Sequence, residues 1–476
     1  MVSDVPSSAD TSPSSPPGGS TGSTEAVAEV LSRIVKAYDV RGMVDTELTE
    51  ELMTALGAAA AEVLVGPGER FIIGRDMRPS SPRLAAAFAD GVRSRGVGVT
   101  DIGLASTDQV TFASGELGYA SAMFTASHNP AGYNGIKLNR AGAVPVAIDT
   151  GLGEIRDRAA QGTPPAVATP GDIEQQDLTS AFAAHVRTFV DLAGLPPVRV
   201  AVDAGNGMAG YLWPHVVEGL PIETQPLFFE LDGSFPNHPA NPLEPANLVD
   251  LQDEVRRGGY ALGLAFDGDA DRVFAVDERG EPVSSSLIGA VVADRLLAAH
   301  PGETILHNLI CSRTVRETIE AAGGIAIRTR VGHSFIKARM AETGAIYAVE
   351  HSGHFYFRDN HRADSGVIAA LVLIEAVGRA GLPLSQVVAP YDRYAASGEL
   401  NIEVADAEAA QRAVEDAFAD RGEIDREDGM TVVTDDGWFN LRPSNTEPFL
   451  RLNAEAETPE AMRRLRDELL ALLDDR

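Results

Sequence analysis

ALGLAFDGDADRVFAVDERG, residues Ala261–Gly280, is the stretch from which the rest of the chain is best read. ALGLAF is an apolar run of strand length, VFAVD is a second, and the link between them puts Asp267, Asp269 and Asp271 at alternate positions just after the first strand. Three carboxylates so close repel one another unless a cation neutralises them, and all-oxygen donors select a hard ion such as Mg²⁺. A solvated acidic turn is the plain alternative. A calcium EF-hand loop is a sharper one, because Glu278 falls where its bidentate glutamate would stand. Arg272, however, takes the place of the required turn glycine, and the flanks read as strands, so the EF-hand is rejected.

Outward from this stretch the same grammar repeats. FIIGRD (71–76) reads as a strand, SPRLAAAFADGVRSRG (81–96) as a helix and GVGVTDIG (96–103) as the next strand. VRVAVDAGNG (198–207) and ETILHNLI (303–310), the latter with the helix TVRETIEAAG (314–323), continue it. Strand, loop and helix in repetition predict layered α/β domains with largely parallel sheets, whose ligands bind at the carboxyl ends of the strands. The C-terminal part differs: TVVTDDGWFNLRPS (431–444) predicts a hairpin, and the strand FLRLNAEA (449–456) is followed by the amphipathic helix PEAMRRLRDELLALL (459–473), a small α+β domain. Gly- and Pro-rich links suggest boundaries that divide the chain into 28–165, 166–280, 281–392 and 393–476, after a tail over 1–27. The Ser, Pro, Gly and Thr bias of that tail predicts disorder, and with no basic start and no apolar run it does not read as a signal peptide.

At 476 residues the chain is too long for one core. Its 69 Asp and Glu against 39 Lys and Arg give a net charge of -30, a field that disfavours nucleic acid and anionic membrane as partners. No apolar stretch is long enough to span a bilayer. Only Lys36, Lys137 and Lys337 are lysines, so arginine has replaced lysine almost everywhere, and the survivors are candidates for work that needs a compact point charge. Cys311 is the only cysteine, which fits a reducing compartment, the cytoplasm.

Other stretches carry chemistry. TASHNPAGYNGIK (125–137) places Ser127 beside His128 and ends at Lys137; whether Ser127 is a nucleophile or a turn hydroxyl is open from this stretch alone. GNGMAG (205–210) matches the dinucleotide pattern GxGxxG, with Glu230 or Asp232 near the place of a ribose-binding acid, but a tight strand-to-helix turn is the better reading. No GxxxxGK[ST] loop is present. RPSNTEP (442–448) gathers Arg442, Ser444, Asn445 and Thr446, with Arg451 soon after, a donor set suited to a phosphate dianion. EHSGH (350–354) reads as an extended segment with Glu350 and Ser352 on one side, facing vicinal sugar hydroxyls, and with His351 and His354 beside them. VGHSFIK (331–337), with His333 and Lys337, opens a helix.

TASHNP with YNGIK, DGDADR, VGHSFIK, EHSGH and RPSNTEP, in this order and at these separations, resemble the α-D-phosphohexomutase family over nearly the whole chain from about Ile34. AYDVRG, with Tyr38 and Arg41, and GRDMRPSS also look like family segments; DAGNGMAG resembles a family turn, which removes its dinucleotide reading. The resemblance implies a heart-shaped molecule of three similar α/β domains with mixed sheets and a C-terminal α+β domain around a central cleft. It implies that Ser127 is carried phosphorylated, that Asp267, Asp269 and Asp271 hold Mg²⁺ together with an oxygen of that phosphoserine, and that Arg442, Ser444, Asn445 and Thr446 bind the phosphate not being transferred. Glu350 and Ser352 are expected at sugar hydroxyls, with Tyr38, His333 and Arg451 completing the substrate-binding set. Arg41, Lys137, Arg272 and His128 are expected beside the transferring group, and His354 or Lys137 as general base. The reaction implied passes through a hexose 1,6-bisphosphate. EHSGH, with its two histidines, looks closer to members that act on mannose phosphates, or on mannose and glucose phosphates alike, than to those acting on glucosamine phosphate or glucose phosphate alone. Interconversion of mannose 6-phosphate and mannose 1-phosphate by a monomer or homodimer is therefore the expectation. Two rivals are a silent sugar-phosphate binder, which should have lost one of Ser127, the aspartates or Arg442, and an aspartyl phosphotransferase using Asp267, which would leave TASHNP unexplained.

Overall fold

Four sheets follow one another along the chain in the computed structural model, which describes residues 21–443 and 449–473. The first three share one plan. In the first, strands Gly98–Leu104, Arg70–Arg75 and Ala120–Phe124 run parallel, and Tyr133–Arg140 and Val40–Met43 follow antiparallel. In the second, Ile222–Leu227, Val198–Asp203 and Leu262–Phe266 are parallel, followed by antiparallel Val273–Asp277 and Pro282–Val283. In the third, Ile325–Thr329, Thr304–Asn308 and Tyr347–Val349 are parallel, followed by antiparallel Phe355–Phe357 and Ala363–Asp364. The fourth sheet is antiparallel throughout, in the order Ala395–Glu403, Phe449–Ala456, Gly437–Pro443, Met430–Thr434, Gly422–Asp425. Three mixed α/β sheets and a different C-terminal one are the architecture expected above.

The plan places the loops. In each of the first three sheets the chain crosses from the last parallel strand to its antiparallel neighbour through one link: 125–132, 267–272 and 350–354. These are the TASHNP, DGDADR and EHSGH stretches. Strand Leu262–Phe266 is buried along its whole length, so the link that follows it starts from a fixed point. RPSNTEP begins inside strand Gly437–Pro443, with Arg442 and Pro443, and its residues 444–448 lie outside the described residues.

Helix Gly366–Ala380 (GVIAALVLIEAVGRA) explains how the second and third sheets are joined. Thirteen of its fifteen residues are buried, the one charged group among them, Glu375, being paired with Arg295 and Arg379, as in a helix enclosed on nearly all sides. One continuous core runs from Val200 and Trp213 in the second domain through Phe357 and Leu371 in the third. The first domain has its own core around Phe71, Phe88 and Phe124, and the C-terminal domain another around Phe418, Phe439 and Leu469.

Three details differ from the sequence reading. Helix Thr21–Ile34 begins inside the segment read as a tail, whereas residues 1–20 of that segment lie outside the described residues. Strand Ile173–Gln175 pairs in parallel with Gly98–Leu104, so the first sheet reaches beyond residue 165. EHSGH is a turn instead of an extended segment: Glu350 N donates to His354 O at 3.0 Å, Gly353 N donates to Glu350 O at 3.2 Å, and Gly353 takes a φ of 87°. The alternation rule that put Glu350 and Ser352 on one side of a strand does not apply within it.

Candidate active site

Ser127 stands with its backbone in the left-handed region, φ 49°, and is 5% exposed. A non-glycine residue in that region is strained and must be held there by its surroundings. Its N–H donates to Thr125 Oγ1 at 2.9 Å, and its carbonyl accepts from Arg78 Nη2 at 2.9 Å. Arg78 is fully buried, and its guanidinium also donates to the carbonyls of Asn129, Pro130 and Tyr133. The turn is thus shaped from behind by one side chain.

From the second domain, the aspartate loop closes on Ser127. Ser127 Oγ donates to Asp267 Oδ2 at 2.8 Å, and Arg272 Nη2 reaches Ser127 Oγ at 3.3 Å. Arg272 Nε donates to Asp267 Oδ2 at 2.8 Å. A Cβ on Gly268 would lie 2.5 Å from the Ser127 carbonyl oxygen, so the two loops meet at a distance that only glycine permits. Behind the loop, Thr107 N donates to Asp269 O at 3.1 Å and Thr107 Oγ1 to Asp269 Oδ2 at 2.5 Å, at the start of helix Thr107–Leu117. A Cβ on Gly366 would lie 2.7 Å from the Arg272 carbonyl oxygen, so the enclosed helix of the third domain begins directly against the loop. Ser365, which caps it, donates to Asp108 Oδ2 at 2.7 Å.

Asp267, Asp269 and Asp271 are buried, and one oxygen from each lies within 4.8 Å of the others. Burial, opposed by Arg272 and reinforced by Asp271 and Asp269, pushes the Asp267 carboxyl up to about 7. Burial alone would raise Asp269 as well, but Lys137 overrides it and holds that carboxyl below its usual range. Lys137 Nζ donates to Asp269 Oδ2 at 2.8 Å and Asp271 Oδ2 at 2.7 Å. Asp269 Oδ1 and Asp271 Oδ1 are buried without a hydrogen-bond partner. Orphaned buried carboxylate oxygens, all hard donors, fit a divalent oxygen-seeking cation, so the triad can bind a metal ion.

His128 Nδ1 accepts from Arg272 Nη2, which leaves Nε2 to carry the ring's proton. Burial, then Arg272 and Arg41, push its pKa down to about 2, so the ring is neutral and cannot act as a general acid. Arg41 does not reach Ser127: it donates to Asn129 Oδ1 at 2.6 Å and to Asp39 Oδ2 at 2.7 Å. Its side chain nevertheless lines the same cleft of about 220 Å³ as Ser127, Lys137, His333, Lys337 and His354. Tyr38 and His333 meet edge to face with centroids 4.8 Å apart, and burial, then Lys337, push His333 down to about 4.

In the third domain Glu350 accepts from Gly332 N at 3.1 Å and from Tyr356 Oη at 2.6 Å, with His354 Nδ1 at 3.4 Å. Burial would raise it, but His354 and Tyr356 hold it down at about 2. Ser352 Oγ pairs with His354 Nδ1 at 2.9 Å. In the fourth domain Arg442 and Arg451 converge on Glu399, at 3.0 Å and 3.2 Å. Ser444, Asn445 and Thr446 lie outside the described residues.

Two of the three lysines line this cleft, while Lys36 is exposed elsewhere. Lys337 Nζ pairs with Asp364 Oδ1 at 2.8 Å. Arg78, Thr107, Asp364 and Glu399 were not singled out from sequence. Arg78 lies in GRDMRPSS, a family segment by resemblance, and the Ser-Thr-Asp run at 106–108 is a helix-start signal for Thr107; nothing in the local sequence marks Asp364 or Glu399.

Family models described as phosphoglucomutase/phosphomannomutase α/β/α domains I, II and III match residues 32–164, 180–280 and 284–394, and the C-terminal domain of the same family matches 399–472. A protein of Xanthomonas campestris named phosphohexose mutases is 40% identical over 92% of this chain and 98% of its own length. A phosphomannomutase of Salmonella montevideo is 39% identical over 88% of this chain and 94% of its own. Among solved structures, a phosphoglucomutase/phosphomannomutase family protein of Burkholderia thailandensis superposes with a TM-score of 0.85 at 31% identity, over 93% of this chain and 97% of that one. Fold, site and relatives together define an intramolecular phosphotransferase, an isomerase. The chain belongs to the phosphoglucomutase/phosphomannomutase family, the phosphohexomutases.

Proposed function

We propose that this phosphohexomutase interconverts mannose 6-phosphate and mannose 1-phosphate through a phosphoserine at Ser127 and a hexose 1,6-bisphosphate. The observation that carries the serine assignment is the convergence of Asp267 at 2.8 Å and Arg272 at 3.3 Å on Ser127 Oγ. Mannose rests on the form of EHSGH and on the phosphomannomutase at 39% identity. The family's double name and the 40% identical phosphohexose mutases support a second reading, acceptance of glucose phosphates as well.

Asp267, Asp269 and Asp271 would hold Mg²⁺, with an oxygen of the phosphoserine. When bound, the ion supplies positive charge that offsets the charge on the transferring phosphoryl group. Arg272 holds the serine oxygen as the Oγ–P bond breaks and the O1–P bond to the hexose 6-phosphate forms. Lys137 Nζ, held by Asp269 and Asp271 at 2.8 Å and 2.7 Å, brings positive charge to the transferring group. His354, which lines the cleft with Ser127 and whose Nε2 lies 3.8 Å from Asp271 Oδ1, takes the proton of the attacking hydroxyl. The bisphosphate then turns round, its O6–P bond breaks, and Ser127 is rephosphorylated. Arg442, Arg451, Ser444, Asn445 and Thr446 hold whichever phosphate is not in transfer. Tyr38, His333, Glu350 and Ser352 take the sugar, and Arg41 and His128 Nε2–H flank the reacting phosphate. A single thiol, buried at Cys311, supports a reducing compartment. We place the enzyme in the cytoplasm as a monomer or homodimer.

Intact mass after incubation with a hexose 1,6-bisphosphate tests the phosphoserine: one phosphoryl group mapping to Ser127 is expected, and an active enzyme with Ser127 unmodified would overturn it. A coupled assay of kcat/KM on mannose, glucose and glucosamine 1-phosphates tests the substrate. Mannose should lead and glucosamine should trail.

A further inference from the structure

Glu399 lies in the heart of the group to which the distal phosphate is assigned, yet it carries the charge of a ligand. Its Oε2 accepts from Arg442 Nη2 at 3.0 Å, and its Oε1 lies 3.2 Å from Arg451 Nη1. His351 Nε2, from the EHSGH turn of the third domain, is 3.5 Å from the same Oε2. The backbone aims it there: strand Ala395–Glu403 slips register against Phe449–Ala456 between Ala396 and Glu399, and Gly398 in the slip takes a φ of 70°. Such a bulge re-aims the side chain that follows it. Arg442 is 5% exposed, so its guanidinium needs a counter-charge whenever no phosphate is present. Burial would raise the Glu399 carboxyl, but His351, Arg451 and Arg442 hold it at about 2, ionised at any working pH.

We propose that Glu399 is an internal placeholder for the phosphate that is not being transferred: a tethered carboxylate that occupies the Arg442 and Arg451 guanidiniums until a phosphate displaces it. The inference rests on the assignment of those two arginines to that phosphate. It adds a role for a residue that touches no reacting atom, and Glu399 is therefore a positioning residue. A phosphate dianion outcompetes a carboxylate by charge and by its third oxygen, but its apparent affinity is reduced by the fraction of enzyme in which the carboxylate is seated. The reaction benefits from this weakening. The bisphosphate must let go of this group before it can turn round, and a carboxylate ready to return gives the arginines a counter-charge at the moment the phosphate leaves.

The test is steady-state kinetics on the full-length enzyme with mannose 1-phosphate as substrate and inorganic phosphate as competitive inhibitor. Glu399→Gln should lower both KM and the Ki for inorganic phosphate by about tenfold, lower kcat, and lower the melting temperature. A purely structural role would lower the melting temperature while raising KM, and an unchanged or raised Ki overturns the proposal. Should Glu399→Gln fail to fold, Glu399→Asp keeps the charge but withdraws it by one methylene; Ki should again fall, by a smaller factor, and a rise or no change overturns the proposal equally. Arg442→Lys separates the two readings, since it should raise Ki at least tenfold. No effect there removes the phosphate assignment itself, whereas a rise there without a fall in Glu399→Gln removes only the placeholder.

Discussion

Arg78 and Ser127 are 49 positions apart in sequence, yet Arg78 Nη2 donates to the Ser127 carbonyl at 2.9 Å in the wall of the cleft. Together with its bonds to the carbonyls of Asn129, Pro130 and Tyr133, this makes one guanidinium the support for the serine's left-handed backbone. Arg78→Met would leave four carbonyls without this donor and Asp76 without its ion-pair partner, and removing one partner of a buried charge pair costs about 3–5 kcal/mol. The melting temperature should drop by several degrees. Molecules that still fold should transfer phosphoryl groups on the order of 100-fold more slowly, because the serine is misplaced. Differential scanning calorimetry and a kcat measurement at a temperature where the variant is folded check both halves.

Gly268→Ala is the complementary change on the other loop. Its Cβ would stand 2.5 Å from the Ser127 carbonyl oxygen, a backbone atom that cannot swing aside, so the aspartate loop must back away from the serine. Little core is disturbed, and the predicted signature is a large loss of kcat with a modest loss of stability. Wild-type kcat in this variant would show that the two loops need not touch.

Divalent metal dependence follows from the orphaned oxygens of Asp269 and Asp271. Exhaustive chelation should abolish activity and Mg²⁺ should restore it. Asp269→Asn should raise the Mg²⁺ concentration needed for half-activity by at least tenfold, read from an activity titration and, independently of turnover, from the metal-induced rise in melting temperature.

His238 gives a pH dependence of stability with a definite sign. Its Nε2 is 3.0 Å from Asp203 Oδ2, and although burial opposes it, the hydrogen bond to Asp203 raises its pKa above the ordinary value. A group raised on folding stabilises most below its unfolded pKa of about 6.5, and the contribution disappears as pH climbs through the folded value. The melting temperature of His238→Gln should therefore trail wild type more at pH 5.5 than at pH 8.5. Equal gaps at both values would remove the charge from the account.

How far the sequence reveals the site depends on whether a signal is local. DGDADR announces its charge problem within five residues, and the strands on either side are apolar enough to be read directly. Thr107 could not be tied to Asp269 in that way, since 162 positions separate them and only the assembled domains bring them together. Glu399 shows the same limit, because a glutamate in a mostly polar strand looks like solvent-facing charge until the bulge turns it inward. EHSGH was misread as a strand because alternation was applied where Ser352-Gly353 signals a turn. Arg41, expected beside the transferring group, lines the cleft with Ser127, and its fork is held there by Asp39 and Asn129.

The shared core of the second and third domains has a mechanical meaning. With helix Gly366–Ala380 sealed between them and its first residue against the aspartate loop, two of the cleft's walls are one casting. The first domain is pinned to that casting by Thr107 on Asp269 and by Ser365 on Asp108. The fourth domain folds around a core of its own but is seamed to the third, where Trp438 packs on Leu309 and Ile310, Arg313 pairs with Glu455, and Val331 N donates to Asp428 Oδ2 at 3.0 Å. The fourth wall is thus fastened to the same casting along one seam, and Glu399, beside His351 of the third domain, sits on that seam.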